Sequence, residues 1–197
     1  GVTHQARSVD ADGYVWTSFA TDPIPGMDAW ALLSDGTAAV VRTSDYRIEW
    51  FGPDGVHTTS PPVAHEWHRL TDSAKAALLD SVHTQRLARP GVQTGRTADG
   101  RAKTRPWTPD LIPAEELRDY LPPFSGATVD AQNNLWICES YAAMDMGLVY
   151  DIVNRSGKLI DRVRIPGGTT IAGFGPGVVY LQSREGRHGS LARARMQ

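Results

Sequence analysis

The feature that most constrains this chain is a turn signal that recurs between short apolar runs. Residues 28–34 (DAWALLS) lead into Asp35-Gly36, and residues 37–43 (TAAVVRT) follow as a run suited to a buried strand. Residues 45–51 (DYRIEWF) then set Tyr46, Ile48 and Trp50 against Arg47 and Glu49, the period-two alternation of a half-buried strand. Asp54-Gly55 turns the chain again into residues 56–60. An Asp-Gly pair between such runs marks a hairpin, because both central positions of the tight turn need positive φ. Residues 28–60 therefore read as four consecutive antiparallel strands.

The pattern returns downstream. Residues 126–131 (GATVDA), a turn at Gln132-Asn133, residues 134–139 (NLWICE), residues 147–153 (GLVYDIV), a turn at Ser156-Gly157 and residues 158–165 (KLIDRVRI) form a second copy. A third spans 169–196: TTIAGF, a turn at Pro176-Gly177, VVYLQS, then SLARARM. Superposing the first turns aligns Gly36, Asn133 and Gly177. It also puts Ala39, Trp136 and Tyr180 in one column, and Arg42, Glu139 and Ser183 in another. Ahead of the first copy, residues 4–10, Asp12-Gly13 and residues 14–20 read as the last two strands of a preceding unit. Four-strand meanders repeating at roughly 40 residues are how propeller blades appear in sequence. A β-sandwich or an irregular meander is the alternative, and the repeated turn spacing favours blades. The expected fold is all-β, a partial β-propeller of about three four-stranded antiparallel blades. The reading is a single propeller-type domain over 1–197, with blade strands at 4–20, 28–60, 126–165 and 169–196.

Residues 61–122 interrupt the repeat as a helical and loop insertion. Thr71 can cap a helix with Asp72 in its first turn, and Ala74, Ala77, Leu78 and Val82 then form an apolar stripe. Residues 113–121 suit a second short helix, with Pro113 at its first position and Pro122 ending it. Between them, residues 86–105 carry Arg86, Arg89, Arg96, Arg101, Lys103 and Arg105 against Asp99 alone. So long and polar a stretch is expected to be a loop or lid.

Composition narrows the function classes. The 19 Gly and 13 Pro follow no collagen period and fit many turns between short strands. A formal net charge of −2 gives no whole-protein field for nucleic acid or membrane. No apolar run approaches the roughly 18 residues of a membrane span. The chain opens in polar sequence that already reads as strand, so no signal peptide is expected here and the compartment stays open. Cys138 is the single cysteine and cannot form an internal disulfide.

The strings WALLSDGTAAVVRTSDYRIEWFGPDG, VDAQNNLWICES and YDIVNRSGKLIDRVRIPGG resemble the C-terminal half of bacterial six-bladed β-propellers of the NHL/TolB-like group. The resemblance covers most of residues 5–195, including the insertion after Ser60-Pro61-Pro62-Val63. It implies a channel-centred scaffold whose broader superfamily holds lactonases and esterases with a channel metal beside pure binding proteins. The N-terminal blades of that family are missing from this sequence. Three blades cannot close a ring, and open blade faces invite association. Either a two-fold homodimer is expected, with residues 14–20 completing the partner's three-stranded last blade, or the sequence is a truncated piece of a longer chain.

For chemistry, neither a G-x-S-x-G elbow nor a P-loop occurs, and Gly173 to Gly177 reads as a turn. His65 and His68 in HEWH are candidate metal ligands. Their segment follows Pro61-Pro62, and in extended chain residues three apart point to opposite faces, so packing is the competing reading. Blade-joining loops and the turns between second and third strands share one face, where ligand sites on such scaffolds sit. That face gathers Arg42, Asp45, Tyr46, Tyr141, Glu185 and His188 as ligand-binding candidates. Glu139 and Asp145 are the catalytic or metal candidates, able to hold a hard cation such as Ca²⁺ through oxygen. The competing reading pairs Arg42 with Glu139 as a structural ion pair. No nucleic-acid partner is expected, because the basic stretch lacks interleaved aromatics apart from Trp107. Two functions follow: a non-catalytic ligand- or protein-binding scaffold, or a metal-dependent hydrolase of lactonase or esterase type.

Overall fold

The computed structural model describes residues 3–140, 147–185 and 188–196, and among these are sixteen short strands, one α-helix and one 3-10 turn. In chain order they are β1 (Thr3–Val9), β2 (Val15–Thr21), β3 (Ala29–Leu32), β4 (Ala38–Arg42), β5 (Arg47–Phe51) and β6 (His57–Thr59). The helix α1 (Asp72–Ala88) precedes β7 (Gly91–Arg96), β8 (Ala102–Trp107), β9 (Asp110–Leu111) and a 3-10 turn at Ala114–Glu116. Then come β10 (Phe124–Val129), β11 (Leu135–Glu139), β12 (Val149–Val153), β13 (Leu159–Arg164), β14 (Thr169–Gly175), β15 (Val178–Glu185) and β16 (His188–Arg195).

The fold is all-β and of partial-propeller type. Each of the three sequence copies forms its own antiparallel sheet, in strand order β3-β4-β5-β6, β10-β11-β12-β13 and β14-β15-β16. Two compact units divide the residues: Gly1–Pro25 with His68–Leu121, and Gly26–Trp67 with Pro122–Gln197. The second unit contains all three copies.

Burial in that second unit explains the run NLWICE. Every residue of β11 and β12 is buried, because the middle sheet is covered on both faces. Leu135, Ile137 and Val153 point one way and pack with Ala31, Leu33, Val41, Ile48 and Trp50 of the first sheet. Trp136, Cys138, Tyr150 and Ile152 point the other way, onto Val179 and Leu181 of the third. Each fully buried side chain of this size stabilises the fold by about 1.5–3 kcal/mol. The turns between first and second strands tie neighbouring sheets together. Asn133, at φ 62, accepts hydrogen bonds from the Ser34 backbone N–H and hydroxyl, both at 2.9 Å. Arg155 in the β12–β13 turn pairs with Asp35 and donates to the Thr37 hydroxyl at 2.8 Å.

The first unit corrects several expectations. Residues 86–105 are not a loop or lid: β7 and β8 form a hairpin in register from Gly91↔Trp107 to Arg96↔Ala102. Its turn is Asp99-Gly100, with Gly100 at φ 89. The N-terminal hairpin β1–β2 is not the tail of a preceding blade either. It continues into β7 and β8, with β9 running parallel to β2. So the strand expected to be spare for a partner is hydrogen-bonded on both sides within this unit. The helix starts as read, with Ala74 N–H donating to the Thr71 hydroxyl at 3.2 Å. Its stripe is different: Ala77 is exposed and Lys75 is the buried residue, its ammonium donating to Leu117 O and Asp119 Oδ1 at 2.9 Å each. The second helix over 113–121 reduces to the single 3-10 turn.

One local motif occurs in both units. In DADGYVW and DAQNNLW an aspartate opens the turn and a tryptophan follows six residues later. Asp10 Oδ1 accepts from the Asp12 and Tyr14 N–H groups, and Oδ2 takes the Trp16 indole N–H at 3.0 Å. Asp130 does the same for Gln132, Asn134 and Trp136, again with 3.0 Å to the indole. That equivalence identifies β1–β2 as first and second strands of a meander, like β10–β11. Among the described residues, no helix is long and apolar enough to cross a membrane.

Candidate functional site

In a meander, the turns between second and third strands fall at the opposite end from the first and third turns. At that end of the second unit, Tyr46 is the last residue of the β4–β5 turn, with φ 49, a left-handed conformation that costs a non-glycine residue about 1–3 kcal/mol. Packing holds it there. Its ring is fully buried, edge-on to His65 at 5.3 Å between centroids and tilted against Phe124 at 5.5 Å. Its carbonyl accepts the Val63 N–H at 2.7 Å.

The Tyr46 hydroxyl donates to Asp151 Oδ2 at 2.8 Å, the centre of a buried polar group. Asp151 lies on β12 opposite Ile137, fully buried, on the face turned toward the first sheet. Arg162, its cross-strand neighbour on β13, donates through Nε to Asp151 Oδ1 at 2.7 Å. The other arm of the same guanidinium reaches Glu139 Oε1 at 3.1 Å. Two buried carboxylates thus share one arginine whose side chain is half exposed. Burial, and then the charge and hydrogen bond of Asp151, hold the Tyr46 phenol far above its ordinary pKa, so it remains a donor. Beside this group Ala64 and residues 159–162 line an open cleft of about 460 Å³.

The other expected residues scatter. Arg42 does not pair with Glu139, which corrects the ion pair proposed from their shared column. It bonds Asp28 at 2.7 Å and Glu49 at 2.6 Å within its own sheet. The Glu49 hydrogen bond leads in raising the Arg42 pKa, and the same contact lowers that of Glu49. At Asp28, partial burial pushes upward but is outweighed by the Thr43 N–H and Arg42, so its carboxyl falls. Asp45 pairs with Arg47 at 3.0 Å. Glu185 and His188 face each other across the β15–β16 hairpin as backbone partners. Tyr141 and Asp145 lie outside the described residues. His65 and His68 lie in non-helical chain and belong to different compact units. Among the described residues, no group of three or more His, Cys, Asp or Glu is arranged to hold a metal.

Sequence reading missed Asp151 and Arg162. The signal was present, since YDIV and IDRVRI place a charge in the middle of an apolar strand and another directly across from it. Only the packed sheets show that Asp151 points into the core.

No family model and no curated protein matches the chain. Among solved structures, it is similar to a streptogramin B lyase at 13% identity, covering 99% of this chain and 73% of that one with a TM-score of 0.28. It is similar to the virginiamycin B lyase from Staphylococcus aureus at 11% identity, covering 98% and 74% with a TM-score of 0.26. A luciferin-regenerating enzyme aligns at 17% identity, over 92% of this chain and 54% of that chain, with a TM-score of 0.23.

Proposed function

We propose that this chain is a propeller-type scaffold that binds a ligand or protein partner, rather than a catalyst. One observation carries the reading: Glu139 and Asp151 are already committed, to Arg162 and to the Tyr46 hydroxyl. A carboxylate in such a pair is neither a free base nor an open cation ligand, and releasing it would leave a charge buried and poorly compensated. The metal-dependent hydrolase, with Ca²⁺ as its cation, requires Glu139 to leave Arg162. The ligand face is the cleft beside Arg162, where the exposed part of an oriented guanidinium meets residues 159–161.

The test combines turnover and binding. Wild type and Glu139→Gln are assayed on a γ-lactone and an aryl ester, with added Ca²⁺ and with EDTA. Buffer-level hydrolysis throughout is expected. EDTA-sensitive turnover abolished by Glu139→Gln would overturn the scaffold reading. A small-carboxylate fragment set followed by amide chemical shifts is expected to perturb Ala64 and residues 159–162, and shifts confined elsewhere would place the site wrongly.

Self-association is a separate proposal, supported by the outer face of the first sheet. Trp30 is 71% exposed and Leu32 62%, two residues apart on β3, and Phe51 shares their face two strands away across Ala38. The outer face of the last sheet carries Tyr180 opposite Arg193 and Gln182 opposite Leu191, so a second copy could offer it to that apolar strip. Light scattering at micromolar concentration is expected to give a dimer that Trp30→Glu dissociates; a monomeric wild type defeats the idea.

A further inference from the structure

The first unit holds two arginines that the fold leaves unpaired. Arg7 on β1 stands opposite Thr17 of β2, and Arg96 on β7 stands opposite Val15. Thr17 and Val15 are two apart on one strand, and cross-strand partners share a face, so all four side chains project from the same side of the sheet. The arginines flank β2 on either side, roughly 12 Å apart at their Cα atoms, from two strand spacings and a two-residue stagger along the strand. Together with Thr94, Thr97 and Ala98 these residues line a cleft of about 410 Å³.

Charge around the cleft is unequal. Asp99 at its rim is held by Arg101 at 3.0 Å and by the Thr97 hydroxyl. Asp12 is taken by Lys103 at 3.4 Å. Lys103 and Arg105 turn to the opposite face, over Tyr14 and Trp16. Among the described residues, Arg7 and Arg96 have no hydrogen bond, ion pair or ring contact. What remains in the cleft is two free guanidinium forks with the Thr17 and Thr94 hydroxyls between them. Guanidinium forks match tetrahedral oxyanions in a bidentate manner, and hydroxyls supply the further donors such an anion needs.

We propose that this cleft is an oxyanion site, taking a phosphate or sulfate group with Arg7 and Arg96 as clamps from either side and Thr17 and Thr94 beneath. It stands on a different unit from the scaffold reading above and does not depend on it.

Isothermal titration of the full chain with inorganic phosphate and with phenyl phosphate, at low ionic strength, tests it. Saturable one-site binding is expected, weakened roughly tenfold or more by Arg7→Gln and by Arg96→Gln, each of which removes charged hydrogen bonds. Arg7→Lys and Arg96→Lys keep the charge but lose the fork, and intermediate affinities are expected. Arg89→Gln, in the same unit but at the far end of the β7–β8 hairpin from the cleft, is expected to bind as wild type does. Tighter binding of phenyl phosphate assigns the site to an ester-borne group; equal binding assigns it to the free ion. Absence of saturable binding overturns the proposal. So does an Arg89→Gln effect as large as that of Arg7→Gln, since that would reduce the site to diffuse charge.

Discussion

Trp16 and Trp136 enter the fold through the same turn and end in opposite surroundings. Each indole N–H is fixed by an aspartate six residues earlier, and each ring is almost fully buried. Around Trp136 the neighbours are Tyr150 at 6.0 Å and Phe174 at 5.0 Å, inside an apolar cluster shared by two sheets. Trp16 is covered instead by the Arg105 guanidinium, 4.1 Å from its ring centroid. The Tyr14 ring lies 6.4 Å away, and backbone closes in at Gly95: a Cβ added there would lie 2.8 Å from the indole, so only glycine admits the ring. Buried Gln93 completes the assembly, donating to Thr17 O and accepting from Arg105. A shared local motif therefore fixes the ring's anchor, while what packs over the ring decides its surroundings: a neighbouring sheet for Trp136, the β7–β8 strands of its own sheet for Trp16.

The largest expected effect comes from breaking the apolar side of the comparison. Trp136→Ala should lower stability by about 3–5 kcal/mol, as other buried aromatic truncations do, read by urea unfolding. An effect under about 1 kcal/mol would mean that the two sheets do not depend on this ring. Next is Tyr46→Phe, which leaves Asp151 buried with Arg162 alone; a loss of about 1–3 kcal/mol is expected. A neutral result would make the hydroxyl incidental. On the cationic side, Arg105→Ala should cost less, about 0.5–2 kcal/mol of ring contact and Gln93 support. A loss matching that of Trp136→Ala would erase the distinction between the units.

The smallest effect is a titration. Arg155 leads in holding the Asp35 carboxyl down, to about 2 against an ordinary value of 3.8. A depressed folded-state pKa means the contact contributes fully above pH 3.8 and is lost as pH falls toward 2. Carboxyl NMR should follow that midpoint, and Arg155→Gln should move it up toward 3.8. An unmoved midpoint would show that Thr37 alone sets it.

Much of the second unit was legible because its signals are local. Asp-Gly and Asn turns at fixed spacing, with alternating or continuous apolar runs, located all three of its sheets. The same signal at Asp99-Gly100 went unread because its flanks, GVQTGR and AKTRPW, are polar and have no apolar periodicity. Those strands bury few side chains, and Gln93 and Gly95 are the buried positions of β7. Lys75 was hidden for a related reason: a lysine on a helix reads as solvated until a carbonyl and a carboxylate on another segment receive it.

By itself, then, the sequence determined the turns, the strand spans of the repeated meanders, the helix cap and the Asp–Trp anchors, all set by interactions within about six residues. The tertiary structure alone decided that β7 and β8 extend the N-terminal hairpin rather than hang as a loop. It also decided that Asp151 and Glu139 share Arg162 while Arg42 stays in its own sheet, and that Arg7 and Arg96 face one cleft. Those outcomes depend on which strand edges meet across long stretches of chain. A strand's edge offers the same N–H and C=O groups whatever its neighbour, so pairing and face are fixed only once the sheets have packed.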